Sequence, residues 1–564
     1  MENKNVFIAI ALSMSVLLFW SAFVDSPQPI DVQNKKVSRT ELKNNVTDNG
    51  IVPSIDGTIA KENISRVESL KKTNRIFLEN NKIKGSISLE GAAIDDLSFK
   101  NYTVDIVSND IVQFLNPKET KNGYFAETGW ASIGNKIKVP TSKSMWSVVG
   151  NKVLSVNNPV TLEWNNGSNL IFRKKIGIDD NYLFKINQEV KNNSSEQVEL
   201  YPYAQLTRKN IPEDLKGFYI LHEGFIAVLD EELKEDDYDD IEEKKIVREA
   251  DKGWIGITDK YWMTALIPEK GEKFKTTFLY QDAYKANFLL NNPKVIAPST
   301  KANNEIKIFV AAKEVQTIDA YAEKENIDKL DLIIDWGWFY FFTKPLFFAV
   351  DYLFKLTGNF GIAIVLITIM IRLLFFPLAS YSFKSMAKMK ALQPEMARLK
   401  DLHKDDKVKL QQAIMALYKK EQINPASGCL PVLIQIPFFF AIYKMLFISL
   451  EMRHQPFFGW IKDLSASDPT TIFNLFGLLP FTPPSFLIIG IWPILMGLTM
   501  FIQQKLNPAP TDPIQAKIFM FFPIFLTVIL ASFPSGLVVY WTVNNILTIA
   551  QQWFIMKRTT VKTN

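Results

Sequence analysis

Six apolar runs, each long enough to cross a membrane as a helix, constrain this chain more than any other feature. They occupy residues 6–24, 361–379, 430–450, 485–502, 517–533 and 535–555. About twenty mostly apolar residues span the hydrocarbon layer of a bilayer as a helix. A polar stretch of more than 300 residues separates the first run from the second. The sequence therefore predicts a polytopic α-helical membrane protein with six transmembrane helices and one large domain outside the membrane.

The first run predicts an N-terminal transmembrane anchor over residues 1–24. The alternative is a cleaved secretory signal, but the apolar core is long for one. Lys4 is the only basic residue before it, and no small-residue cleavage site follows. Residues 25–74 are rich in Asn, Ser, Lys and Asp, which is typical of a flexible tether.

The distribution of Lys and Arg between loops predicts the orientation in the membrane. The loop at 381–429 carries ten basic residues and the loop at 451–484 carries two. Basic loops stay in the cytoplasm, so both termini and the 381–429 loop are predicted there, with the large domain on the opposite side of the membrane. The net charge of +5 is too small to indicate direct DNA binding.

Residues 75–312 read as a large all-β sandwich. Apolar and polar residues alternate in YLFKINQEV (182–190), and turn signals such as NNGSN (165–169) recur at short intervals. Such a pattern is typical of antiparallel sheets packed face to face. Because Cys429 is the only cysteine, no disulfide within the chain can staple this domain.

The chain shows little chemistry of the kind that enzymes use. No phosphate-binding GxxxxGK[ST] loop and no H-E-x-x-H or G-x-S-x-G motif occurs. The three histidines, His222, His403 and His454, lie in different regions, so no metal site is expected. His222 beside Glu223 is the one acid–base candidate in the sandwich. We therefore expect no enzymatic activity and no cofactor.

A linker and an aromatic-rich helix are predicted over residues 313–358. The segment WGWFYFFTKPLFFAVDYLFKLTG (336–358) is interrupted by Lys344, Pro345, Asp351 and Lys355. Such a segment fits an amphipathic helix in the membrane interface. The alternative is a helix packed beneath the sandwich.

The basic loop at 381–429 predicts an antiparallel cytoplasmic helical hairpin. Met386, Met389 and Met396 recur at helical spacing before the polar turn HKDD (403–406), which contains His403, Lys404 and Asp405. Asp405 or Asp406 is placed to cap the second helix. A methionine seam is either flexible packing or a surface for varied apolar peptides.

Polar residues inside the apolar runs are the strongest functional signal. Arg372 is the twelfth of nineteen residues in the second run, where an arginine costs about 3 kcal/mol to insert. Thr368 lies four residues earlier, on the same helix face. No Asp or Glu occurs in runs two to six. These residues predict a hydrated intramembrane cavity. The negative charge that would pair with Arg372 is then expected to come from a client, a molecule that the cavity binds.

Five motifs resemble those of the YidC/Oxa membrane protein insertase family. They are SMAKMKALQP (385–394), ALYKKEQINPASGCLPVLIQIPFFFAIYKML (416–446), DLSASDP (463–469), TDPIQAKI (511–518) and FPSGLVVYWTVNN (533–545). They cover most of residues 336–556 in the family's order. The 75–312 region resembles the family's periplasmic domain by position and strand pattern.

The resemblance implies a five-helix insertase core over residues 359–556, containing a groove open to the cytoplasm and to lipid. The implied groove residues are Arg372, Thr368, Gln435, Tyr540, Trp541, Thr542, Asn544 and Asn545. The implied contacts for client helices are Leu430, Pro431, Ile434, Ile436 and Pro437. Two features depart from the family: Trp541 stands where a second tyrosine is common, and the basic tail at 557–564 is short.

The function implied is insertion and folding of integral membrane proteins without nucleotide hydrolysis, alone or with the Sec translocon. The implied partners are nascent membrane-protein clients, SecYEG and SecDF, the ribosome, the signal recognition particle pathway and membrane lipids. Two alternatives stay open. One is a transporter that binds an anionic solute at Arg372, and the other is a membrane-anchored periplasmic carbohydrate-active enzyme.

The predicted orientation of the 381–429 loop can be tested with a single introduced cysteine. In a Cys429→Ser background, Lys404→Cys should react with an impermeant maleimide only after the inner membrane is disrupted, because the loop faces the cytoplasm. Strong labelling of intact cells would contradict this topology.

Overall fold

The structure is a computed structural model. It describes residues 63–558 except for short gaps at 213–214, 216–220, 338–339, 404–405, 425–426, 428–429, 478, 480, 482, 485–487 and 509–512. The apolar run at 6–24 and most of the predicted tether lie outside the described residues. The described chain forms a β-sandwich followed by a helical region, as the sequence predicts.

The sandwich is built from short strands between residues 75 and 312. Their bounds are β1 (Arg75–Glu79), β2 (Ile83–Ser88), β3 (Ile94–Thr103), β4 (Ile111–Leu115), β5 (Tyr124–Ala131), β6 (Ser147–Val149), β7 (Val153–Leu154), β8 (Val160–Asn165), β9 (Leu170–Ile178), β10 (Leu183–Asn192), β11 (Val198–Arg208), β12 (Gly224–Leu229), β13 (Glu232–Asp236), β14 (Ile246–Ala250), β15 (Gly253–Thr258), β16 (Trp262–Ile267), β17 (Phe274–Tyr280), β18 (Tyr284–Leu290), β19 (Lys294–Ile296) and β20 (Lys301–Ala312).

These strands form two sheets that enclose one apolar core. The larger sheet has the order β14-β17-β18-β11-β5-β3-β2-β1-β7, with β4 on β3 and β19 on β11, and the smaller has β13-β12-β15-β16-β20-β10-β9-β8-β6. Pairing is antiparallel except between β1 and β7. In β9 the inward side chains alternate with outward ones, so Phe172 and Ile176 are buried while Lys175 faces out. The period-two pattern thus produces the predicted all-β sandwich.

A short helix precedes the sandwich and corrects the predicted tether. Helix α1 (Arg66–Lys72) lies within the stretch 25–74 and is closed by a capping box between Ser65 and Glu68. Arg66 forms an ion pair with Asp96 of β3, and Ser69 Oγ donates to Glu119 Oε2 at 2.7 Å. Residues 66–72 therefore belong to the sandwich, because a capped turn and an ion pair attach them to it.

Two further helices accompany the sandwich. Helix α2 (Tyr238–Glu243) buries Tyr238 and Ile241 against the core, and α3 (Val315–Lys324) follows the last strand directly. Glu314, just before α3, accepts hydrogen bonds from Lys82, Tyr102 and Tyr182 at 2.8–3.0 Å. This carboxylate fixes the start of α3 to the sandwich.

The helical region contains longer, mostly apolar helices. Their bounds are α4 (Tyr340–Thr357), α5 (Phe360–Leu374), α6 (Phe376–Ala391), α7 (Gln393–Leu402), α8 (Lys407–Lys420), α9 (Leu430–Ile448), α10 (Ile491–Leu506), α11 (Pro513–Leu530) and α12 (Ser535–Arg558).

Helix α4 corresponds to the predicted amphipathic helix and packs on one face only. Lys344 lies 2.9 Å from Asp319 and 3.0 Å from Asp331, so α4 is fixed to the segment beneath the sandwich. Its opposite face exposes Phe341, Tyr352 and Leu356. The packed interpretation therefore describes one face of this helix, and the interfacial position of the exposed face stays a prediction.

The second apolar run is broken, which corrects the predicted single span at 361–379. Helix α5 ends at Leu374, Phe375 has non-helical dihedral angles, and α6 starts with Pro377 in its first turn. Proline has no amide hydrogen to donate and restricts the residue before it, so the helix is interrupted here. The axes of α5 and α6 differ by 68°.

No single helix of the described residues is both long and apolar enough to qualify as a membrane span, and only the bent pair α5–α6 qualifies jointly. The other runs shift by a few residues: 430–450 becomes α9, 485–502 starts at Ile491, 517–533 becomes α11 and 535–555 becomes α12. The count of six spans stays a prediction.

The predicted helical hairpin is present with one correction, and its cytoplasmic location stays a prediction. Its first helix is broken at Leu392, before Pro394, into α6 and α7. Asp406 caps α8 by accepting from Lys409 N at 3.0 Å, which confirms the predicted turn. Met396 lies in the seam, where Tyr418 Oη donates to its sulfur at 3.5 Å.

Glu451 links the sandwich to the helical region. Its Oε1 accepts from the amide of Val315 at 2.8 Å, so a carboxyl group following α9 caps α3. Burial raises the pKa of Glu451 to about 7, with the nearby carboxylates Glu314 and Asp351 adding to the effect. Ionisation of this carboxyl group therefore opposes folding. The free energy of unfolding falls as pH rises from the pKa of the group in the unfolded chain to its raised pKa in the folded protein.

We expect Glu451→Gln to stabilise the protein at pH 8 by on the order of 2 kcal/mol and to change it little near pH 5. The amide keeps the acceptor for Val315 but cannot ionise. Thermal unfolding in detergent at both pH values measures this, with the exposed Glu323→Gln on α3 as the control. Equal effects of Glu451→Gln at pH 5 and pH 8 would contradict the expectation.

Candidate functional site

A small cavity lies where α5, α6, α9 and α12 meet. Its volume is about 40 Å³, which is room for a few water molecules. The lining residues are Thr368, Ile371, Arg372, Phe375, Leu378, Ala379, Gln435, Phe438, Tyr540 and Asn544. Five of these ten residues have a polar side chain, although most of the cavity surface is apolar, and no Asp or Glu is among them.

Arg372 is held in the cavity by neutral amide groups. Its Nε and Nη2 donate to Asn544 Oδ1 at 2.9 and 2.6 Å, and Nη2 also donates to Gln435 Oε1 at 2.9 Å. These bonds satisfy one edge of the guanidinium without neutralising it. Among the described residues Arg372 has no carboxylate partner, so the positive charge is fixed in place and uncompensated.

Helical spacing determines which predicted groove residues reach the cavity. Thr368 and Arg372 are four residues apart on α5, and Tyr540 and Asn544 are four apart on α12, so each pair shares one face. Gln435 joins them from α9. The hydroxyl of Thr368 donates to Ile364 O at 2.6 Å, so its hydrogen is occupied within its own helix.

Three of the predicted groove residues lie elsewhere on α12. Trp541 packs edge-on against Phe439 with ring centroids 4.7 Å apart. Asn545 Nδ2 donates to Thr499 Oγ1 of α10 at 3.2 Å, and Thr542 Oγ1 donates to Val538 O. These residues do not line the cavity, because they lie one or two positions away from the Tyr540–Asn544 face.

The sequence interpretation did not include the apolar members of the lining. Ile371, Phe375 and Leu378 lie at or beside the break between α5 and α6, and Phe438 lies one turn after Gln435. The helical repeat from Arg372 and Gln435 could have identified Phe375 and Phe438. The break itself places Leu378 and Ala379 at the cavity.

The predicted client-contact residues lie on α9. Ile436 is exposed and Pro437 is half-buried within the helix. The side chains of Leu430, Pro431 and Ile434 lie outside the described residues. The exposed apolar side of α9 therefore includes at least Ile436 and Phe440.

The predicted hairpin residues divide into three groups. Met386 is buried with Ala379, Phe383 and Ile555 of α12, and Met389 packs against the same cluster. Their packing is thus against α12 rather than along the hairpin seam. His403 follows α7, and Lys404 and Asp405 lie outside the described residues.

The acid–base candidate in the sandwich does not form a catalytic pair. His222 Nδ1 lies 3.1 Å from Asp237 Oδ1, and its Nε2 contacts Phe225 O at 2.8 Å. Burial opposes the charged form of His222, but the hydrogen bonds with Asp237 and with Phe225 O and the negative charges of Glu235 and Asp237 together outweigh it and raise the pKa. Glu223 instead accepts from the amide of Lys260. Among the described residues no group of three His, Cys, Asp or Glu side chains could hold a metal ion.

Comparisons with known proteins agree with this architecture. Residues 75–349 match the family described as YidC periplasmic domain, and residues 352–562 match the family described as 60Kd inner membrane protein. A membrane protein insertase YidC from Pelagibacter ubique is 53% identical over 563 residues, covering 100% of both chains. The insertase of the same name from Brucella suis is 45% identical, covering 100% of this chain and 97% of its own. A crystal structure of an active YidC insertase, with its first transmembrane domain resolved, has a TM-score of 0.35 at 18% identity, covering 84% of this chain and 91% of its own.

The two family matches and the names of the relatives place the chain in the class of membrane protein insertases that carry a YidC periplasmic domain. The chain belongs to the YidC family, whose members insert proteins into the inner membrane and are not enzymes. Its clients are accordingly membrane proteins.

The polar residues of α12 lie on two different faces, so substitutions on the two faces should have different effects. One face should affect stability and the other client insertion. Asn545→Ala and Thr499→Ala should each lower stability by about 1 kcal/mol, and the double variant should lose less than the sum, because both remove one buried hydrogen bond. Thermal unfolding of the four proteins measures this coupling. Asn544→Ala should instead alter client insertion, as measured at matched protein abundance. A larger insertion defect from Asn545→Ala would contradict the division.

Proposed function

We propose that the cavity around Arg372 receives the polar segment of a client while the client's apolar helix moves into lipid. The observation that carries this proposal is that, within the part of the chain that the structure describes, Arg372 bonds to neutral amides and to no carboxylate. The cavity reaches into the apolar helical region and shortens the distance that a polar segment crosses through hydrocarbon. Each polar group left unbonded in hydrocarbon costs several kcal/mol, so even a short hydrated path lowers the barrier.

The charge of Arg372 gives the cavity a preference among clients. Gln435 and Asn544 orient the guanidinium without cancelling its field. An acidic client side chain entering the cavity would supply the anion that the chain itself does not place there. Attraction between opposite charges is strong where water is scarce, so acidic exported segments gain the most.

The exposed apolar faces of α9 and α11 provide the exit route. Phe440 on α9 and Ile518, Phe521 and Phe525 on α11 are exposed to the surroundings of the helical region. A client helix that leaves along them enters lipid and gains about 0.8 kcal/mol for each buried methylene group. The membrane potential adds about 2.3 kcal/mol per charge per 100 mV for outward movement of negative charge. Nucleotide hydrolysis is then unnecessary.

The remaining features of the chain fit a multi-pass topology with cytoplasmic termini and a periplasmic sandwich. The hairpin of α7 and α8 carries most of the basic loop and would meet the ribosome and the signal recognition particle pathway. We place SecYEG and SecDF among the partners for clients that also need the translocon.

An anion transporter would also place an arginine in a cavity. Proteoliposomes that contain only this protein distinguish the two functions. Insertion of a small client without nucleotide supports the insertase mechanism, whereas flux of an anionic solute without insertion would overturn it.

The role of the charge predicts an order among variants of Arg372. Arg372→Lys should keep most activity, because a hydrated ammonium also attracts acidic segments. Arg372→Ala should lose more, chiefly for clients that export acidic residues. Insertion of paired clients that differ only in those residues, at matched protein abundance, measures the effect.

A structural role would give a different pattern. If Arg372 mainly holds α9 and α12 together, lysine should fail nearly as badly as alanine because it lacks the bidentate geometry. Equal insertion defects for acidic and neutral clients, with a parallel loss of thermal stability, would contradict the charge-attraction mechanism.

A further inference from the structure

The turn between β3 and β4 carries large apolar side chains at its tip. In the sequence VDIVSND (104–110), Val104, Ile106 and Val107 are 56%, 52% and 93% exposed. Solvated turns usually consist of Gly, Asn, Asp, Ser or Pro. Single exposed apolar residues are ordinary, but three within four residues form a patch that water does not favour.

The turn is held in shape by its own side chains. Asp105 Oδ1 accepts from the amides of Val107 and Ser108 at 2.7 and 2.6 Å. Thr103 Oγ1 donates to Asp105 O at 2.8 Å, and the amide of Val104 donates to Asp110 O at 2.8 Å. Because these amides already have partners, the tip can leave water without stranding them.

The turn lies beside the outer end of α9. Arg453, five residues after the last residue of that helix, donates from Nη2 to Val104 O at 2.9 Å. The same guanidinium lies over the rings of Tyr261 and Trp262, 5.7 and 5.6 Å from their centroids. This contact fixes the hairpin of the periplasmic sandwich at the level where the apolar helices end.

Other segments at this level also expose aromatic and apolar side chains. Phe458 and Trp460 follow Arg453 closely, and both are exposed. Aromatic residues of this kind are enriched where a membrane meets water. The turn therefore lies beside the segment that follows α9, and this segment also exposes aromatic side chains.

We propose that the turn at residues 104–110 is a membrane contact of the periplasmic domain, in which Ile106 and Val107 enter the headgroup region of the outer leaflet. Asp105 and Asp110 stay in water, and Arg453 holds the hairpin in place. The partner is lipid, because the patch adjoins the end of a membrane helix. The contact would fix the sandwich against the membrane independently of client insertion.

Fluorescence from a single labelled cysteine tests the contact in the full-length protein. Val107→Cys in a Cys429→Ser background is labelled with an environment-sensitive dye and reconstituted into phosphatidylcholine–phosphatidylglycerol vesicles. We expect blue-shifted emission and quenching by lipids that carry a nitroxide near the headgroup. The exposed turn tolerates this substitution, since the tip side chain has few contacts.

Val295→Cys in β19 is the matched control, because Val295 is 54% exposed and lies far from the helices. Asn192 Nδ2 donates to Ile296 O, and Lys191 pairs with Lys301, so β19 adjoins the start of β20. Strand β20 has twelve residues and so spans about 40 Å, and its other end adjoins α3.

Equal emission and quenching at both positions would overturn the proposal. A blue shift at position 107 without lipid quenching would also overturn it, since that indicates a protein partner.

Discussion

Amide oxygens hold the guanidinium of Arg372, with no carboxylate partner among the residues that the structure describes, and the proposed insertion mechanism depends on this bonding. A buried carboxylate would neutralise the arginine and make a stable internal pair, but it would also remove the field that a client could sense. Gln435 and Asn544 reach the guanidinium at 2.6–2.9 Å from two other helices, so the charge is oriented without being cancelled. Keeping the cation among apolar side chains costs free energy. The charge can attract an acidic client segment because the amides do not neutralise it.

The break at Phe375 gives this arginine its surroundings. Because α5 ends at Leu374 and α6 departs at 68°, Leu378 and Ala379 return to the cavity and close one side of it. Pro377 causes the break by removing a backbone donor. At the opposite end of the helical region, Glu451 and Arg453 attach the sandwich through α3 and the β3–β4 turn. Polar contacts at both ends of the helical region thus fix the positions of these elements, which non-directional apolar packing alone would not fix.

The sequence was sufficient for the sandwich and for the central residues of the cavity. The burial of alternate side chains in β9 and β10 follows from period-two patterning. Arg372, Gln435 and Asn544 were identifiable because polar groups inside apolar runs are costly. Trp541 and Asn545 adjoin Tyr540 and Asn544 in sequence, but the helical repeat turns them away from the cavity, so their role as groove residues stays a prediction. The capping of α3 by Glu451 joins residues 136 positions apart, and no local pattern encodes such a contact.

A single isosteric substitution measures whether the uncompensated charge is what the client senses. Gln435→Glu would place a carboxylate where an amide oxygen now lies 2.9 Å from Arg372, giving the cavity its own counter-ion. We expect the variant to be at least as stable as the parent protein and to lose its preference for clients with acidic exported segments, while inserting neutral clients normally. Undiminished insertion of acidic clients by Gln435→Glu, at equal abundance in proteoliposomes, would contradict the central claim.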